Sequence, residues 1–192
     1  MEHYRRHGFA DEIRAIGLPP EFPTDIAYFT RLAHYELARF QLPAAKDAKA
    51  IIKSLSGSWS AAELPHRISQ KYVEEVLLKH ARKYATNVIA FNTRLTDFRD
   101  TGAGVEARLE RTSGGERSII RAKYLVGADG ARSFVRKELG LALEGEGSRR
   151  RDFMGGRMFA IYMRAPDFYK VSPHGAAWMY VAFNPERRAY MA

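Results

Sequence analysis

The chain has 192 residues, 46% hydrophobic and 28% charged, the balance of an ordinary globular protein rather than a disordered or fibrous one. Its net charge of +9 comes from 31 basic residues against 22 acidic ones. They are scattered apart from Arg149-Arg150-Arg151, and no zinc-finger spacing, RNP sequence or P-loop accompanies them, so nucleic acid is not the expected partner. The absence of cysteine excludes disulfides, thiolate metal sites and a cysteine nucleophile. No apolar run approaches the ~20 residues of a membrane span, and MEHYRRHGFADE is not a signal peptide, so a cytoplasmic location is expected.

In chain order, residues 1–17 read as a helix with Tyr4, Ile13 and Ile16 on its buried face. Gly8 can split it, and Gly17, Pro19 and Pro20 stop it. Asp25 to Leu32 and Tyr35 to Leu42 read as two strands carrying Ile26, Tyr28, Phe29, Leu37 and Phe40. Pro43 to Ser56 has helical spacing through Ala45, Ala48, Ile51, Ile52 and Leu55. Residues 57–65 read as a loop, with Trp59 against the body. The next helix runs from Pro65 to about Tyr84, with Ser69 as N-cap and Val73, Val76, Leu77 and His80 on one stripe.

Asn87 to Asn92 reads as a short strand, and a meander follows: Thr93 to Asp100, Val105 to Arg111 and Glu116 to Arg121. Val105, Ala107 and Leu109 alternate with Glu106, Arg108 and Glu110, the pattern of a sheet wet on one face. Tyr124 to Ala128 is a continuous apolar run, as expected of a strand covered on both faces. It stops at Asp129-Gly130, where a sharp turn or a close approach to a ligand suits glycine. Ser133 can cap the basic helix that follows, which ends at Gly140. Beyond a charged loop, Phe153 to Arg164 and Ala176 to Phe183 read as strands. Asn184 to Arg187 is a turn, and a further strand starts at Arg188.

For chemistry, the turn at Asp129 offers a carboxylate, backbone amides and the cations Arg132 and Arg136, a set suited to hydroxyls and phosphates. His3 and His7 have zinc-compatible spacing but no third ligand. Ser133 has no GxSxG elbow, which disfavours a hydrolase. No triad or carboxylate dyad is present.

The string V-G-A-D-G-A-R-S-F-V-R, through Asp129, Gly130, Ser133 and Arg136, resembles the DG motif of the FAD-dependent aromatic hydroxylases, the para-hydroxybenzoate hydroxylase-like class A flavoprotein monooxygenases. Two further motifs fit the same family in order. Met1, Glu2, Arg5, Gly8, Asp11 and Ile13 match its first helix, and Arg67, Gln70, Val73, Glu74 and Leu77 match its R-x-x-Q helix. The resemblance implies an α/β fold. Residues 1–150 would be a partial FAD-binding domain (Rossmann-like, glutathione reductase-type) containing the antiparallel meander. Residues 151–192 would begin the substrate-domain sheet.

It implies FAD and NAD(P)H as cofactors, and O2 and a small phenolic or polycyclic aromatic as reactants, with hydroxylation through a flavin hydroperoxide. The implied cofactor residues are Arg67, Gln70, Asp129, Gly130, Arg132, Ser133 and Arg136. Tyr162 and Trp178 are candidates to line a substrate pocket, and no side chain need act as acid, base or nucleophile. The family's GxGxxG turn and its later G-D-A-A-H-type segment are not among the 192 residues. The expectation is therefore an internal portion that alone binds FAD weakly or not at all and is inactive. Two alternatives stand beside it: another DG-motif flavoprotein, such as a halogenase or prenyl-lipid reductase, and a flavin-free basic module or truncated fragment.

Overall fold

The first helical segment does split at a glycine: α1 (Glu2–Arg6) and α2 (Ala10–Ala15) flank Gly8, whose φ of +80 is a left-handed value that costs other residues most. The computed structural model describes residues 1–54, 62–145, 160–186 and 188–191; the expected position of Trp59 lies outside them. Ile13 is fully buried with Phe9 and Val76, and Tyr4, Ile68 and Val73 pack against them. Ile16 is not part of this face and remains exposed. Val76 belongs to α4 (Gln70–Ala81). Ser69 precedes α4 as expected, but its side chain makes no capping hydrogen bond.

The expected strand pair forms as β1 (Ile26–Phe29) and β2 (Glu36–Phe40), antiparallel. The helix after it is α3 (Ala45–Ser54). Near the other end of the chain come a short helix (Phe168–Val171), β6 (Met179–Phe183) and β7 (Arg188–Met191). β1 pairs in parallel with β6, giving a four-stranded sheet in the order β2-β1-β6-β7. Period-two alternation puts Ala27 and Phe29 on one face of β1, where they are buried with Ala177 and Tyr180. On the other face, the Tyr28 ring meets Phe40 and Phe183 edge-on. Arg39 ties this sheet to a distant loop through Glu36 at 2.9 Å, Asp25 at 3.2 Å and the Ala176 carbonyl at 3.2 Å.

The meander forms as a three-stranded antiparallel sheet, β3 (Thr93–Asp100), β4 (Val105–Arg111) and β5 (Arg117–Ala122). It precedes α5 (Phe134–Glu138). Chain contacts divide the protein into two units, Met1–Lys83 with Asp152–Ala192, and Tyr84–Arg151. The expected division at 150/151 is crossed by the β1–β6 ladder, because that sheet draws strands from both sides of it.

Four expectations are corrected. Residues 87–92 form no strand, and Val88 is 93% exposed. Tyr124 to Ala128 is neither strand nor buried, with Tyr124 and Val126 both 84% exposed. Both runs have strand-like composition, but a strand needs a neighbour to complete its ladder, and among the described residues none pairs with either. Residues 160–164 are also not a strand, and the rest of that segment is outside the described residues. In β4 one position departs from the expected alternation. Glu106 is the buried member, held by Arg99 at 3.2 Å and Arg121 at 3.1 Å.

Candidate functional site

The turn after Ala128 closes on itself. Asp129 Oδ1 accepts from the Ser133 hydroxyl at 2.5 Å, while Oδ2 accepts from the amides of Phe134 at 2.6 Å and Val135 at 3.2 Å. Ser133 in turn accepts from the Arg136 amide at 3.0 Å, so it caps α5 as its sequence position predicts. Gly130 has a φ of +77 with nothing within 4 Å of where a side chain would begin. Gly127 answers a different need: a Cβ there would lie 2.8 Å from that of Val135, so the backbone packs directly on the helix. The Ser133 hydroxyl and then the helix amides hold the Asp129 carboxyl below its ordinary pKa.

These bonds revise what the turn can offer a ligand. The first amides of α5 are spent on Asp129 and Ser133 and do not face outward as free donors. Asp129 uses three hydrogen bonds of the roughly four a carboxylate can accept, which leaves room for about one ligand hydroxyl. The cations are better placed. Arg132 is exposed, and among the described residues no acid pairs with it. Arg136 carries a buried Nε with no hydrogen-bond partner, a donor that an anionic or hydroxylic ligand would satisfy. The segment can therefore meet hydroxyl and anionic groups through one carboxylate lone pair and its cations. Beside it lies an apolar cleft of about 530 Å³ lined by Leu95, Val105, Leu109, Ile120, Val126 and Phe134.

In the other unit, the residues that open α4 meet the aromatics named as substrate candidates. The Arg67 guanidinium lies 3.5 Å from the centroid of the Trp178 ring, and burial lowers its pKa. Its carbonyl accepts from the Leu18 amide at 3.0 Å, which fixes the backbone. Gln70 is exposed and donates to Glu74 at 2.7 Å, one helical turn on. Tyr162 is 89% exposed and accepts a hydrogen bond from Lys71 Nζ at 3.3 Å.

Thus Arg67 meets Trp178, and Tyr162 meets the neighbour of Gln70. Asp129, Gly130, Ser133 and Arg136 form their own cluster, with Arg132 beside it. Sequence reasoning missed Lys71. Its position four residues after Arg67, at helical spacing, was the available signal. Among the described residues no group of three metal-ligating side chains occurs, and no helix is long and apolar enough to cross a membrane.

Comparison with known proteins adds the family. The family model described as "FAD binding domain" matches residues 1–192. Aklavinone 12-hydroxylase DnrF of Streptomyces peucetius is 32% identical over 186 residues, 94% of this chain and 35% of the relative. Phenol 2-monooxygenase of a Pseudomonas species is 30% identical over 140 residues, 73% of this chain and 22% of the relative. Among solved structures, the flavin-dependent monooxygenase PieE in complex with FAD and substrate superposes with a TM-score of 0.72. That match has 21% identity and covers 97% of this chain and 30% of PieE, a likeness of fold. The chain spans about a third or less of the length of these relatives.

Proposed function

The chain belongs to the FAD-binding-domain family, and on that premise we propose that it is part of an FAD-dependent monooxygenase acting on a phenolic or polycyclic aromatic. The observation that carries the reading is the turn at 129–136, closed by its own side chains yet leaving the Arg136 Nε buried and unpartnered. Arg136 and Arg132 would meet phosphate charge, and Asp129 would accept from a ribityl or ribose hydroxyl. Ser133 holds Asp129 in place, and Gly130 keeps the turn free of side-chain bulk. Gln70 and Arg67, at the start of α4, are proposed as cofactor residues from the resemblance of their R-x-x-Q segment to the family. When bound, FAD would supply the redox chemistry, accepting reducing equivalents from NAD(P)H and using O2 to hydroxylate the ring.

The protein's own part would be binding, orientation and exclusion of water. Residues 1–150 would carry the cofactor side. The substrate sheet would combine β6 and β7 from residues 151–192 with β1 and β2 from before residue 150, the strands that the β1–β6 ladder joins. Trp178 and Tyr162 would face the aromatic substrate.

Titration of FAD into the chain, followed by flavin fluorescence, tests the reading. Weak saturable binding is expected, reduced about ten-fold by Arg136→Met, as befits loss of one charge-assisted hydrogen bond. Salt-sensitive binding of heparin with no flavin binding at any concentration would favour the flavin-free basic module instead.

A further inference from the structure

Two cations open α4, and the structure uses them differently. Arg67 has its guanidinium face laid on Trp178 at 3.5 Å and is partly desolvated, so that face is not free for a ligand. Lys71 is exposed, and among the described residues no carboxylate pairs with it. Of the two acids one turn on along its helix, Glu74 is taken by Gln70, and neither Glu74 nor Glu75 pairs with Lys71. Instead the Lys71 ammonium sits among aromatic rings, 4.7 Å from the Tyr72 centroid and 5.2 Å from that of Tyr162. It also donates to the Tyr162 hydroxyl oxygen at 3.3 Å.

The direction of that hydrogen bond matters. Because Lys71 donates and the Tyr162 oxygen accepts, the phenolic proton of Tyr162 remains available to an acceptor outside the pair. Lys71 itself has two further N–H donors. Two kinds of donor therefore converge beside exposed ring faces, and among the described residues no carboxylate pairs with them. An oxygen anion carried on an aromatic ring matches all three features: it accepts from both donors, it neutralises the ammonium, and its ring stacks on tyrosine.

We propose that Lys71 and Tyr162 form an oxyanion anchor that holds an aromatic substrate by an ionised ring oxygen. The proposal rests on the monooxygenase reading above and adds the residues that would select the ionised form of the substrate. Hydrogen bonding to Tyr162, and then to Tyr72, also raises the pKa of Lys71.

A matched pair of probes tests it: 2,4-dichlorophenol and its methyl ether, 2,4-dichloroanisole. Each is titrated calorimetrically into the chain at a pH above the phenol's pKa and below the tyrosine range. The unmodified chain should bind the phenolate at least about ten-fold tighter than the ether, the scale of one charged hydrogen bond. Lys71→Met should remove that preference while leaving ether affinity unchanged, Lys71→Arg should retain most of it, and Tyr162→Phe should reduce it partially.

A preference unchanged in Lys71→Met overturns the anchor, as does a loss of ether affinity equal to the loss of phenolate affinity. A fall in FAD affinity with the phenolate preference intact also overturns it, and assigns Lys71 to the cofactor. Because FAD titration of the unmodified chain is scored separately, failure of the anchor and failure of the monooxygenase reading give different results.

Discussion

The two sheets are held together by different physics. At the centre of the four-stranded sheet, Phe29 and Ala27 are fully buried with Ala177 and Tyr180, which lie about 150 positions further along the chain. In the three-stranded sheet the buried side chain is charged. Glu106 is gripped by Arg99 and Arg121 on the neighbouring strands, while Val105, Ala107 and Leu109 line an open cleft. The first sheet depends on long-range packing, and the second on short hairpins and local ion pairs. A sheet of the second kind can form without a core of its own and leave its apolar face for a partner.

The sharpest way to break this contrast is Phe29→Ala, expected to cost about 3–5 kcal/mol, as for other phenylalanines deleted from a core. Urea unfolding followed by circular dichroism would measure it, and the meander's own amide protection should survive the loss. Gly17→Ala comes next. A Cβ there would lie 1.9 Å from His66 Nε2 and 2.8 Å from the Arg67 carbonyl oxygen, and relieving that overlap should cost about 1–3 kcal/mol. Because the segment before α4 would shift, the Arg67–Trp178 contact should loosen too, visible as a change in Trp178 fluorescence in a Trp59→Phe background.

Ser133→Ala should cost about 1 kcal/mol, the usual value of a lost N-cap. Its effect should be confined to α5 and the Asp129 turn, read by amide exchange of residues 134–138. An equal loss of protection across both sheets would sink the view that this turn is a local structure.

The smallest effect expected is one of pH. Hydrogen bonds from Lys79 and His80 hold the Glu12 carboxyl down at about 2, against an ordinary 4.5. A carboxyl depressed by folding contributes stability above its unfolded pKa and loses it as pH falls through the folded value. Glu12→Gln should therefore flatten the fall in stability between about pH 4.5 and about pH 2, and leave the neutral region little changed. Urea midpoints measured across that window would show it.

Much of the fold was legible because the signals were local. The break at Gly8, the hairpins of the meander and the Ser133 cap each depend on a few adjacent residues, and the structure has all of them. The site was legible less evenly. Asp129, Gly130 and Ser133 were named as ligands of a cofactor, and the structure gives Asp129 and Ser133 a prior duty in capping α5. Pattern alone cannot distinguish a residue that holds a ligand from one that holds the turn that holds it. Lys71 was missed because an isolated lysine in a first helical turn reads as solvated surface. Only its setting among Tyr162 and Tyr72 makes it distinctive.

By itself the sequence determined the order of elements, the capped turn at 129–136 and the resemblance of its motifs to the flavin hydroxylases, since short-range sterics and hydrogen bonding specify such features. Three matters were left to the tertiary structure: that β1 would lie beside β6, that Glu106 rather than Val105 would be buried, and that Arg67 would find Trp178. The first and third depend on which distant segment completes a ladder or covers a cation, the second on which cross-strand arginines pair with Glu106. Tyr124 to Ala128 shows the same rule from the other side. Its apolar residues are those of a strand, but a strand is made by its neighbours, and among the described residues it has none.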